Sequence, residues 1–411
     1  MSTPTTYLAE PTASDDGLFS VFRPVFDKIA QGNLERERDR VFPHEQVRWL
    51  VDADFGLLRI PTVHGGFGAS LEQTFALLAE LAQADPNVAH IWRNHLAFVE
   101  DRLNAPRSDA GDTWIKRFRD GEFVGGGWTE ANNVTLANLT TSIKAEGDHW
   151  VVSGAKYYAT GSLYADWLDV LGRGDDGELL TALVRRDDAG VTLVDDWEGF
   201  GQRTTASGTA RYERARADRG DVFPATDRFG YQAHFYQTAM HAVLTGITKA
   251  ALRDGSIALA ERIRNYPQGL TTVPAVDPQL LQVIGEVSAD VFAAEAALAR
   301  STATLDRIVE GRLAGDEPGA RRRLIDAAVA VDQAQLVIIE AALSATTRIF
   351  DALGASGVSE KRGLDRHWKN ARTLASHNPR VYKARIIGDW LINSADPVAD
   401  LASLGRGGQG N

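Results

Sequence analysis

The stretch RRLIDAAVAVDQAQLVIIEAALSATTRIFDAL (322–353) contains neither glycine nor proline and keeps apolar residues at helical spacing throughout. A helix of that length cannot bury its apolar seam alone. It needs partners of comparable length, and an Ala-rich seam suits close antiparallel packing. One partner precedes it: Ile284, Val287, Val291, Leu298, Leu305 and Ile308 recur at spacings of 3, 4, 7, 7 and 3. Together they predict a helical bundle in the last part of the chain.

The chain before the bundle divides in two. Between Leu18 and Asp120 the spacing is again helical, broken by the Gly-rich turn IPTVHGGFGAS, whose Ser70 is expected to cap the next helix with Thr74 a turn beyond. From Phe123 to Phe223 the pattern changes to short β-branched or alternating runs, among them TTSIKAEGDHWVVSGAKYYATG, LLTALVRR and GVTLVDDW, separated by Gly and Asp turns. Gly147-Asp148 reads as a hairpin turn between two of them. The expected fold is α+β and multi-domain, with a helical N-terminal domain at 1–122, a β domain at 123–228 and a helical bundle at 229–411. At 411 residues the length supports more than one core.

Composition removes several kinds of chemistry. No cysteine is present, which excludes disulfides, thiolate metal sites, iron–sulfur clusters and a cysteine nucleophile. Nine histidines occur without metal-ligand spacing, so no metal is expected. A net charge of −11 argues against nucleic acid as partner. No stretch is long and apolar enough for a membrane helix and no signal peptide is evident, so the expectation is a soluble, cytoplasmic protein. The tail does hold a literal GxGxxG at Gly405, Gly407 and Gly410. A dinucleotide fingerprint needs a strand before it and a helix after it, and here neither can be read.

Several segments carry residues suited to a flat ligand. VGGGWTEANN (124–133) puts three glycines before Trp128 and Thr129, so backbone and indole could approach a ring; as residues alone it reads equally as a tight turn with a packing tryptophan. KYYATGS (156–162) is expected to continue a strand, with Tyr158 and Thr160 on one face. ADPNVAHIWRNH reads as a helix starting at Asp85-Pro86 and bearing His90 and His95. DRHWKNARTLASHNP (365–379) gathers basic, aromatic, amide and imidazole side chains before Pro379.

Taken in order, these pieces resemble the acyl-CoA dehydrogenase superfamily over nearly the whole chain. The matching segments are IPTVHGGFGASLEQTFALLAELAQADPNVA, TEANN, GAKYYATG and TGITKAALRDGSIALAERIR. DDWEGFGQRTTASGT, IFDALGASG and DRHWKNARTLASHNP are similar to its flavin-dependent monooxygenase branch, which includes dibenzothiophene monooxygenase and the sulfur-acquisition oxidoreductases. That branch's last motif reads Asp-Arg-x-Trp-Arg-Asn-x-Arg-Thr-x-x-x-His-Asp-Pro, and this chain departs from it at Lys369 and Asn378. The resemblance implies an acyl-CoA dehydrogenase-like fold: helical N-domain, central β-barrel and C-terminal four-helix bundle, with flavin between barrel and bundle. It also implies a homotetramer, or a dimer, because neighbouring subunits complete each flavin site.

The resemblance further implies a two-component monooxygenase in sulfur metabolism. Reduced FMN, with FAD as the alternative, would come from a separate NAD(P)H flavin reductase and react with O2 to a C4a-hydroperoxyflavin. The substrate would be a small organosulfur compound or a similar nucleophile. A dehydrogenase needs a glutamate base, and neither SHNP nor HFYQTAM supplies a carboxylate where the superfamily carries one. His377 stands there instead. By position, the catalytic candidates are His377, Thr160 near flavin N5, His95 facing substrate, and Asn133 or Asn132 near the reacting oxygen. The flavin contacts implied are Trp128, Thr129, Tyr158 and Thr160, with Arg264 reaching a neighbour's flavin phosphate. Arg264 is followed by Asn265-Tyr266 where the branch has Pro-Trp. Arg366, Lys369 and Arg372 add positive charge. The alternatives are an acyl-CoA dehydrogenase carrying FAD and a relocated base, Glu130 or Asp389, and a non-catalytic helical scaffold.

Overall fold

A computed structural model describes residues 6–131 and 138–398 of the chain. Six helices come first: α1 (Asp15–Ala30), α2 (Asn33–Asp39), α3 (His44–Asp52), α4 (Leu71–Ala84), α5 (Pro86–Asn104) and α6 (Asp109–Arg119). Ser70 does cap α4, and its partner in a reciprocal capping box is Gln73. The Thr74 hydroxyl donates back to the Ser70 carbonyl at 2.8 Å. Asp85 caps α5 by accepting from the amides of Asn87 and Val88, with Pro86 in the first turn where its missing N–H costs nothing. Every residue of α5 is buried, because the helix lies under α4 and α6, the sheet and the bundle together.

The middle of the chain forms β1 (Val124–Gly127), β2 (Ser142–Glu146), β3 (His149–Lys156), β4 (Trp167–Arg173), β5 (Leu179–Arg185), β6 (Val191–Val194), β7 (Thr209–Asp218) and β8 (Val222–Pro224). They make one mixed sheet in the order β6-β7-β3-β2-β4-β5-β8, with β1 parallel beside β4. β5 also packs against β7, four places away in that order, so the sheet curls on itself. Gly147, at φ 60°, makes the β2–β3 hairpin turn. A bulge between Val152 and Gly154 bends β3 against β7. At Gly154 (φ 150°) a Cβ would crowd Thr141 at 2.6 Å.

The expected continuation of β3 through Tyr158 and Thr160 does not occur. The strand stops at Lys156, and Tyr157 N instead donates to the Thr129 carbonyl at 2.8 Å. Tyr158 then sits at φ 62°, the left-handed region, so period-two alternation no longer sets where Tyr158 and Thr160 point.

The last part is helical: α7 (Gln232–Ala260), α8 (Pro278–Leu313), α9 (Glu317–Leu353), α10 (Asp365–His377) and α11 (Arg380–Asn393). α8 and α9, of 36 and 37 residues, form the long antiparallel pair, and α7 lies along α9. Val287, Val291, Leu298, Leu305 and Ile308 are buried as their spacing required. α7 also packs on α4, which joins the bundle to the N-terminal helices. Gly246 makes that approach possible, because a Cβ there would fall 2.5 Å from Ala82 Cβ and closer still to the Ala79 carbonyl.

Gly246→Ala is therefore expected to destabilise the fold by about 1–3 kcal/mol, since two helix backbones must separate. A thermal melt checks this; an unchanged or raised Tm would show that α4 and α7 have room between them.

Candidate active site

The site begins on α5. His90, Arg93 and Asn94 stand at i, i+3 and i+4 and so share one face of the helix. Asn94 reaches over β1, where Gly126 leaves room for its amide, and donates to the Thr160 carbonyl at 2.9 Å. His90 Nδ1 bonds Gln202 Oε1 at 3.0 Å, and Gln202 bonds Asn370 of α10 at 2.6 and 3.0 Å. Arg93 Nη1 donates to His377 Nε2 at 3.3 Å and to Met240 Sδ at 3.4 Å, with its guanidinium 5.4 Å from the Tyr236 ring centre.

Arg93, Asn94 and His377 border a cleft of about 290 Å³ between β1, the loop after β3, the start of α7 and the end of α10. Trp128, Tyr158 and Tyr236 give it aromatic walls, and Asn94, Thr129, Gln237 and Asn378 give it neutral polar edges. Arg93 and His377 complete the lining, and no carboxylate of the described residues belongs to it. Asn378 Nδ2 donates to Gln237 Oε1 at 3.1 Å, and Gln237 continues to His241 at 3.0 Å.

His377 is accessible from the cleft but walled by protein behind it. That partial desolvation, and secondly the Arg93 guanidinium, lower its pKa from the usual 6.5. An Arg N–H donating to Nε2 requires that nitrogen to be unprotonated, so the network assigns a neutral ring with its proton on Nδ1.

Trp128 is held from behind. Its Nε1 donates to Asp169 Oδ2 at 3.0 Å, and Asp169 Oδ1 pairs with Arg228 at 2.6 Å. Arg228 also pairs with Asp101 of α5 at 3.1 Å and bonds Thr181 Oγ1 of β5 at 2.8 Å. Glu130, two residues beyond Trp128, accepts from both amides and both hydroxyls of Thr140 and Thr141 and from Lys156 Nζ at 2.9 Å. Burial raises its pKa, but these hydrogen bonds overcome that and drive it well below the carboxylate range.

Of the residues expected from sequence, Trp128, Thr129, Tyr158 and His377 meet in this cleft. Thr160 lies just behind it, its hydroxyl bonded to Ser207 at 2.8 Å. His95 does not reach the cleft. Its ring stacks on Phe123 at 5.0 Å, packs edge-on to Trp92 and Phe118, and accepts from Val124 N at 3.2 Å. Burial pushes its pKa down to about 3, and it borders a separate void of about 10 Å³. The correction follows from helix geometry: position 95 lies on the core face, and 93 and 94 on the cleft face.

Arg366 and Lys369 are also absent from the cleft. Arg366 and His367 both bind Asp254 of α7, and Lys369 pairs with Asp365 at 2.6 Å. Arg372 bonds Ser376. Arg264 lies exposed beyond the far end of α7, roughly 40 Å along that helix from the cleft. Asn132, Asn133 and the glycines of the tail lie outside the described residues. Sequence reasoning missed Arg93, Asn94, Tyr236 and Gln237. The i, i+3, i+4 relation to His90 was the available signal for the first two.

Residues 238–380, which include His377, match the family model of the acyl-CoA dehydrogenase C-terminal domain. That match covers about a third of the chain, the part that holds most of α7 and all of α8, α9 and α10. A probable FMNH2-dependent monooxygenase, SfnC, of Pseudomonas putida is 26% identical over 93% of this chain and 97% of that protein. Among solved structures, FMN-bound TdsC of Paenibacillus sp. A11-2 is 24% identical at a TM-score of 0.85, covering 93% of this chain and 99% of the other. Methanesulfinate monooxygenase MsuC of Pseudomonas fluorescens is 24% identical at 0.82, covering 93% and 98%. The fold of these two structures therefore extends over the sheet and all three groups of elements that frame the cleft.

Asp169→Ala removes both the Trp128 acceptor and one counterion of a buried guanidinium. It should cost about 3 kcal/mol or more and shift the tryptophan emission. A variant with wild-type Tm and spectrum would mean that Asp169 does not hold Trp128.

Proposed function

We propose that this chain is an FMNH2-dependent monooxygenase of the branch that its relatives represent, acting on a small nucleophilic, organosulfur-type substrate. The observation that carries the reading is a neutral imidazole, His377, in an aromatic cleft that no described carboxylate lines. The dehydrogenase reading rests on the carboxylate base that the resemblance implies for abstraction of an α-proton. Glu130 is fully engaged with Thr140, Thr141 and Lys156. Asp389 bonds Asn393 on α11 and is not among the cleft residues. Neither relocated base is in position for the dehydrogenase reading.

The cleft suits a flat isoalloxazine. Trp128 and Tyr236 wall it, Tyr158 stands at its rim with half its surface exposed, and Asn94, Thr129 and Gln237 offer hydrogen bonds to a polar edge. With reduced flavin bound there, the two electrons needed to split O2 would come from the ring, one oxygen atom passing to the substrate and the other to water. The protein's part is to orient the ring, exclude water and hold a proton at His377 Nδ1 beside the reacting atoms. The resemblance implies Thr160 and Asn133 for the flavin N5 and oxygen contacts, and Thr160 stands just behind the cleft with its hydroxyl on Ser207. Among the described residues the cleft has no cation for the flavin phosphate except Arg93, since Arg366 and Lys369 are paired elsewhere. This supports an assembly in which Arg264 of a neighbouring copy serves that end. The exposed Ile263, Phe292 and Ile392, at 92%, 73% and 82% accessible, are consistent with copies meeting along the bundle. Electrons would come from a separate NAD(P)H flavin reductase.

The test supplies FMN, NADH, O2 and an unrelated flavin reductase, and reads product mass across sulfides, sulfinates, amines and indoles. An oxygenated product is expected, and His377→Ala should lower its yield by roughly 100-fold. O2 consumption that yields only H2O2 with every compound would defeat the reading. Because the His377 pKa is lowered, its neutral form persists down through pH 6.5. The kcat/KM profile should stay flat from pH 8 to 6.5 and fall only below; an acid limb centred above 6.5 would mean that a different group titrates.

A further inference from the structure

Five arginines are buried among the described residues: Arg36, Arg59, Arg93, Arg102 and Arg228. Four of them are paired. Arg36 meets Asp85, Arg59 meets Glu100, Arg102 meets Asp101, and Arg228 meets Asp101 and Asp169. Arg93 is 9% accessible and has no carboxylate partner among the described residues. Its contacts are a thioether sulfur, a neutral imidazole nitrogen and the face of Tyr236. Its Nε finds no acceptor at all.

A guanidinium always carries its charge, and a buried charge without a counterion is a standing cost that folds ordinarily avoid. This one lies on the wall of the cleft, on the side where His377 stands. The cleft offers no other cation and no anion from the described residues. Nη1 is taken by His377 and Met240 and Nε is enclosed by protein, which leaves Nη2 to donate a charge-assisted hydrogen bond to an oxygen of an acid group.

We propose that Arg93 is the substrate's anion anchor, and that this enzyme takes small acids, with a sulfinate or carboxylate group seated on Arg93 and the atom to be oxygenated beside His377. The inference rests on the cleft being the substrate site of the monooxygenase reading and adds the substrate's charge. A neutral polycyclic thiophene would leave the guanidinium buried and unpaired, so such compounds are poor substrates here. Arg93 is a binding residue in this account, and its contact with His377 couples anion binding to the position of the ring.

Binding and turnover are measured separately. FMN-loaded chain is titrated calorimetrically with propane-1-sulfinate, (methylthio)acetate and the neutral ethyl methyl sulfide. The two anions are expected to bind at least about 10-fold more tightly than the sulfide, as for hydrogen bonds to a charged group. Arg93→Met should remove that preference and Arg93→Lys should retain part of it. FMN and riboflavin affinities of each variant are read in parallel. Loss of FMN binding with riboflavin binding intact would assign Arg93 to the flavin phosphate and overturn the proposal. Equal binding of sulfide and anions by the unaltered chain would overturn it without any variant. Anion binding at Arg93 with no oxygenated product from any probe would sink the oxygenase reading and leave the anchor standing; oxygenation of the sulfide with no anion binding would do the reverse.

Discussion

The buried guanidinium of Arg228 is the tie on which the arrangement of layers depends. It is 1% accessible at the side chain, and its partners come from three places: Asp101 on α5, Asp169 on β4 and Thr181 on β5. Arg228 itself lies between the sheet and α7, so a single side chain fixes the first helices, the sheet and the entry to the bundle. Hydrophobic contact is non-directional and would allow these layers to slide. A charge-assisted fork with acceptors on separate elements does not. The adjoining set of Arg59, Glu100, Asn104 and Tyr231 repeats the device from the neighbouring residue of α5.

From that tie the cleft wall follows. Asp169 spends one oxygen on Arg228 and the other on Trp128 Nε1, so the residue that locks the layers also orients the indole. Beyond Trp128 the chain would be free to wander, but Glu130 fastens it to Thr140 and Thr141, which lead into β2, and to Lys156, the last residue of β3. The Lys156–Glu130 pair is buried at 0% and 6% accessibility. A buried pair of this kind adds little net stability but restricts geometry, and restricted geometry is what a ring-binding edge requires. The same engagement removes Glu130 from acid–base chemistry.

The three-part course of the chain was legible because periodicity reports burial directly: 3.6-residue spacing in the first and last parts, alternation between them. The Asp85-Pro86 start of α5, the Ser70 cap and the Gly147 turn were legible because each uses local chemistry. What sequence missed depended on partners far along the chain. β3 ends at Lys156 because Tyr157 finds the Thr129 carbonyl, a bond that no local pattern announces. Arg366 looked available for a phosphate, yet the Asp254 that neutralises it lies more than a hundred residues earlier. His95 looked catalytic as a histidine, whereas its neighbours Trp92, Phe118 and Phe123 make it a core ring.

The segment DRHWKNARTLASHNP illustrates how one helix divides such duties. Its first turn is scaffold, since Arg366 and His367 grip α7 through Asp254. Its middle is a relay, since Asn370 receives two bonds from Gln202, which in turn holds His90. Only its end, His377 and Asn378, enters the cleft. α10 is thus anchored at one end and linked at its centre to the α5 face that carries Arg93. The distance between Arg93 and His377 is set by two rigid helices rather than by a loop, and a site built on such elements holds its donors in place before any ligand arrives. The low pKa of His377 is then a property of the frame as much as of the residue: the protein behind it and the guanidinium before it both favour the neutral ring.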